Sequence, residues 1–105
     1  MSTDTAMYEA RIAAVPYSGR MLPHLLTYLE SLLETVISQH TLVRGMEHDV
    51  EQGPEYDTVT ERLRFEAAND AEASIITREA GEKIGTRDEH WQLMGITVER
   101  VGVES

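Results

Sequence analysis

Cysteine is absent from this 105-residue chain, which removes disulfides, thiolate metal sites and cysteine nucleophiles together. Long apolar runs are absent as well. Nothing approaches the roughly 18 consecutive apolar residues of a membrane span, and Met1 to Ala6 lacks the basic and apolar regions of a signal peptide. Basic charge is scarce: nine lysines and arginines face 19 acidic residues, for a net charge of −10. Nucleic-acid affinity comes largely from lysines and arginines that displace counterions, so DNA, RNA and anionic membrane are poor partners. Lys83 is the single lysine, and glutamates outnumber aspartates by 14 to 5. That bias points to GC-rich coding, as in an actinobacterium or its phage, and leaves a salt-loving source open. The expectation is one soluble domain, cytoplasmic, or carried in a virion if phage-encoded.

A chain of this length buries somewhat under about 70% of the surface that its unfolded form exposes, enough for one modest core without staples. The expected domain spans residues 1–105, with a flexible N-terminus over 1–6 and a hairpin tip over 50–57.

The pattern of apolar residues gives an order of elements. From Met7 to Val15, Tyr8, Ala10, Ile12 and Ala14 alternate with Glu9 and Arg11, as a half-buried strand requires. After the turn PYSG, the residues Leu22, Leu25, Leu26, Leu29, Leu32, Leu33, Val36 and Ile37 recur at three and four residues, with Glu30 and Glu34 off the stripe. This predicts a helix that begins between Ser18 and Leu22 and ends near Gln39, with Pro23 near its start where a missing N–H costs least. Two further strand-like runs, Thr41–Val50 and Tyr56–Ala67, flank a Gly53-Pro54 turn and read as a hairpin. In the second run Val59, Leu63, Phe65 and Ala67 share a face, interrupted by Glu61.

The stretch NDAEASIITREAGEKIG predicts a second helix. Asn69 and Glu72 suit a capping box, Ala73, Ile76, Ala80 and Ile84 form a narrow apolar stripe, and Gly81 or Gly85 would end the helix in the left-handed conformation. A last strand runs from Trp91 to Val103, with Met94, Ile96 and Val98 inward and Thr97 and Glu99 outward.

The order βαββαβ is that of the α+β ferredoxin-like fold, in which right-handed crossovers place both helices on one face of a four-stranded antiparallel sheet. The other face is left open. The first and third strands are central there, so Glu9, Arg11, Thr60, Arg62, Arg64 and Glu66 would lie together on the open face. An RNA-recognition domain would carry stacking aromatics at the middle of these strands. Charged residues and threonines stand there instead, which leaves a cross-paired ladder or a surface for self-association.

Other candidates are fewer. Glu47, His48 and Asp49 are adjacent on a strand, but only Glu47 and Asp49 project together. No histidine pair stands at metal-ligand spacing, so neither a metal nor a cofactor is expected. His90 beside Trp91 is the one candidate base, and Ser18 has no nucleophile-elbow context. At the first strand-to-helix turn, Ser18, Gly19 and Arg20 offer a free-φ glycine and N–H groups able to hold an anion. With Gly19 and Leu22 opening the helix, this turn resembles that of the ACT regulatory domains over some fifteen residues. It carries Pro16, Tyr17 and Ser18 where that family has an acidic residue. The resemblance implies small-ligand regulation at Ser18, Gly19 and Arg20.

The distal half of the hairpin is acidic and would project from the core, as an arm to a neighbouring subunit or as a solvated loop. Taken together, the expectation is a small non-enzymatic interaction or assembly module. It would be oligomeric, with a protein partner or a second copy docked at Arg11, Arg62, Arg64 and Glu66, and its composition fits a phage structural or host-interaction protein. An ACT-like ligand module and a cofactor-independent enzyme on a dimeric α+β barrel are the alternatives.

Overall fold

Alternation over β1 (Ala6–Pro16) and β3 (Asp57–Ala67) buries one side of each strand completely. Tyr8, Ala10, Ile12 and Ala14 on β1 meet Phe65, Leu63, Glu61 and Val59 on β3, pair by pair. A computed structural model describes residues 5–87 and 90–102, and for Thr86, Arg87 and Gly102 it describes the backbone alone. The remaining elements are α1 (Pro23–Ser38), β2 (Val43–Gln52), α2 (Asp70–Arg87) and β4 (Trp91–Gly102). All strand pairs are antiparallel and the sheet order is β2-β3-β1-β4. This is the ferredoxin-like βαββαβ architecture, with β1 and β3 in the middle.

Both helices contribute to one hydrophobic core with the inward faces of β1 and β3. From α1, Leu25, Leu29, Leu33, Val36 and Ile37 are buried, and Leu26 and Leu32 pack partly against them. Leu22 is the exposed N-cap rather than part of the stripe, because Pro23 fixes the first helical position. From α2, Ala73, Ile76, Ala80 and Ile84 are buried as their spacing predicts. Trp91 closes the end of the core and donates its indole N–H to the Leu25 carbonyl at 3.1 Å.

The α2 start is fixed locally. Asn69 Oδ1 accepts from the Glu72 N–H at 2.9 Å, and Glu72 Oε1 accepts in return from Ala68, one residue before the expected donor.

Three expectations need correction. Gly81 and Gly85 do not end α2, which continues to Arg87, and Gly19 is the only glycine with positive φ among the described residues. The two glycines instead lie against β4. A Cβ at Gly81 would fall 2.8 Å from Ile96 Cγ1 and closer still to Cδ1, and one at Gly85 would fall 3.2 Å from Leu93 Cδ2. Met94 does not point inward. The β1–β4 register shifts between Ala13 and Ala14, so Leu93 takes the inward place, and Met94, in the bulge, is 54% exposed. Finally, Ala6 is already paired with Ala67 in β1, which trims the expected flexible segment, and residues 1–4 lie outside the described residues. So does Val103.

Candidate functional site

The uncovered side of the sheet carries an ordered set of charges. Strand register puts Glu9 beside Arg64, and Arg11 beside Arg62, across the two central strands. Glu9 is only 3% exposed although no helix covers it. Arg11 lies over it at 3.1 Å from Nη2 to Oε1, and Arg64 Nε stands 3.5 Å from Oε2. Two guanidinium groups therefore share one carboxylate, and their stems shield it from water. On the β2 side, Arg62 Nη2 lies 3.1 Å from Glu47 and its Nε 3.2 Å from Asp49, although this Nε–H is aimed past the carboxylate and makes no hydrogen bond. Arg44, in the bulge that shifts β2 against β3, reaches Glu66 at 3.6 Å. The face thus has three arginines in its centre and acidic residues on the β2 rim. Between them, Arg11, Asp49, Thr58, Thr60 and Arg62 line a shallow depression open to solvent.

The first strand-to-helix turn is built differently. Gly19 adopts φ +93°, the left-handed conformation that only glycine takes without strain. Its N–H donates to the Pro16 carbonyl, and Ser18 Oγ donates to the Arg20 carbonyl at 3.3 Å. The carboxylate of Asp57, at the start of β3, fills the turn. It accepts from the Met21 N–H and from Arg20 Nη1, both at 2.9 Å. Arg20 also donates to the carbonyls of Gly53 and Pro54, while Asp57 returns its own N–H to the Gly19 carbonyl at 2.7 Å. The Met21 N–H bond, above all, holds the Asp57 carboxyl below its usual range, assisted by Arg20 and opposed by burial. The Ser18–Arg20 turn already holds an anion, and that anion is the chain's own. The same bonds pin the hairpin end, so residues 53–56 form a short tip fastened to the turn rather than a projecting arm.

A third cluster lies on the helix side, at the seam between α1 and β2. Glu61 occupies an inward position of β3 between Val59 and Leu63 and is fully buried. Its strand partner His48 shares that side of the sheet, and Glu30 descends from α1 to meet both. His48 Nδ1 lies 3.0 Å from Glu30 Oε2, and the three ligand-type atoms lie within 4.8 Å of one another. Neither Glu61 oxygen reaches full hydrogen-bond geometry, and the polar group nearest to serving as its partner is the Glu30 carboxylate. Burial pushes the Glu61 carboxyl up to about 8, and the adjacent Glu30 carboxylate adds to the push.

Of the residues singled out from sequence, Arg11, Arg62, Arg64 and Glu66 do share the open face, whereas Ser18, Gly19 and Arg20 form a separate turn. His90 is in neither place. It stands immediately before β4 with its ring edge-on to Tyr28 of α1, at 5.3 Å between centroids. The Glu30–His48–Glu61 cluster was missed, although one signal was present: a glutamate at an inward strand position. His40 and Glu79 make a second histidine–carboxylate contact at 3.1 Å, between the end of α1 and α2, without a third ligand among the described residues.

No protein-family model and no curated protein matches the chain. Among solved structures, it is similar to the C-terminal domain of the MgtC protein from Mycobacterium tuberculosis. The TM-score is 0.57 at 14% identity, over 96% of this chain and 93% of that one. At that identity the likeness shows the fold alone. No helix among the described residues is long and apolar enough to cross a membrane.

Proposed function

We propose that the chain is a small non-enzymatic interaction module that docks a second copy of itself through the open face of its sheet. The distribution of charge on that face carries the proposal. On a chain of net charge −10, Arg11, Arg62 and Arg64 stand together on the two central strands, and Arg44 reaches over from β2. Two copies that approach by most other surfaces bring acidic groups together, and like charges in a desolvated contact are costly. By this face, the Glu47, Asp49 and Glu51 rim of one copy can settle on the arginine centre of the other, and the reverse, as an isologous pair requires.

The side chains are also held in place. Arg11 and Arg64 are tied through Glu9, so less conformational entropy remains to be lost when the face is covered. The Ser18–Arg20 turn is the weaker candidate for binding a ligand, because Asp57 occupies its donors.

Light scattering on the intact chain across a concentration series tests the proposal. A mass that rises to twice the monomer is expected. Thr60→Glu adds a carboxylate on this face without removing any of the ion pairs, and should weaken association at least tenfold while the circular dichroism spectrum is unchanged. A monomer throughout, or a dimer indifferent to Thr60→Glu, would overturn it.

A further inference from the structure

The geometry points to a divalent transition-metal site formed by Glu30 of α1, His48 of β2 and Glu61 of β3, distinct from the open face. Zinc is the ion that this donor set suits best. The inference begins with Glu61. A carboxyl at the centre of an otherwise apolar strand face, with neither oxygen in full hydrogen-bond geometry, is an expensive group to bury. One of its oxygens belongs to a cluster that already contains a carboxylate oxygen and an imidazole nitrogen 3.0 Å apart.

Around a tetrahedral zinc ion, ligand atoms at about 2.0–2.1 Å from the metal lie about 3.3 Å from each other. The three ligand atoms here are within 4.8 Å of one another, so small side-chain rotations bring them to that spacing. One nitrogen and two carboxylates favour zinc and its first-row neighbours over calcium and magnesium, which prefer all-oxygen shells. Two carboxylates also balance the charge of a divalent ion.

The three elements differ in what they contribute. Register fixes His48 opposite Glu61, and the α1 stripe that buries Leu29 and Leu33 sets Glu30 above them. His48 is about 42% exposed in its side chain and faces solvent, so an ion can enter from that side. Three protein ligands leave one position of a tetrahedral ion for water or for an outside group.

Isothermal titration of the intact, EDTA-treated chain with zinc chloride tests the inference. One ion per chain is expected. His48→Ala and Glu61→Gln should each lower the affinity at least tenfold, while His40→Ala, at the two-ligand surface contact, should leave it unchanged. Glu61→Gln keeps the shape and neutrality of a buried acid and should fold as the parent does, which circular dichroism checks for both variants. Absence of binding at millimolar zinc, or binding that neither variant weakens, would overturn the site.

Discussion

Glu61 is the residue at which the ordinary rules of a core are broken. In the unfolded chain its carboxyl ionises near 4.5, whereas burial and Glu30 raise it to about 8 in the fold. Between those values the native state keeps a proton that the unfolded chain has released. Stability is therefore complete below about pH 4.5 as far as this group is concerned, and declines as the pH rises towards 8. Urea denaturation in EDTA at about pH 5 and about pH 8 should show this loss, and Glu61→Gln should remove most of it. An unchanged slope in the variant would assign the pH dependence elsewhere. The anomaly was legible in the sequence, as an interruption of Val59, Leu63 and Phe65. Its companions were not, because Glu30, His48 and Glu61 are far apart along the chain and meet only through the β2–β3 register and the seat of α1.

At the scale of elements, α2 shows where local reading succeeds and fails. Its start was legible, since Asn69 and Glu72 act within four residues of each other. Its glycines were misread, since a glycine that ends a helix and one that admits a neighbour look alike in one dimension. Gly81 admits Ile96, and Gly85 admits Leu93. Gly81→Ala should therefore destabilise by about 1–3 kcal/mol through overpacking, despite the helix preference of alanine. Gly85→Ala, with a looser contact, should fall within about 1 kcal/mol of the parent. Thermal unfolding of both variants, with Ile96→Val added to Gly81→Ala to remove Cδ1, the closer of the two crowding atoms, separates packing from propensity. Of the residues expected inward on β4, Ile96 and Val98 do pack on the core and Met94 does not, for a related reason: a bulge at Met94 shifts the phase of the alternation, and no local pattern announces it. Asp57 illustrates the opposite case of a long-range tie, in which a strand's first residue caps a turn nearly forty positions earlier and fastens the hairpin to it.

For the molecule as a whole, the fold was legible because its signals are periodic and local: the apolar stripe from Leu25 to Ile37 in α1, alternation in β1 and β3, and a turn between β2 and β3. The open face follows from strand order, which sets Arg11, Arg62 and Arg64 side by side on the central strands. What the sequence could not supply was the depth of Glu9, which is buried on a face without a covering layer because Arg11 and Arg64 lie over it. That buried pairing turns a solvated ladder into a fixed pattern of charge, with a basic centre and an acidic β2 rim on an otherwise acidic chain. The central claim is that two copies meet on this pattern. Amide NMR spectra recorded over a dilution series test it most directly, since they report both association and its location. The account predicts concentration-dependent shifts at Arg11, Thr60, Arg62 and Thr97, with α1 and α2 unmoved; spectra that do not change with dilution, or shifts confined to the helices, would contradict it.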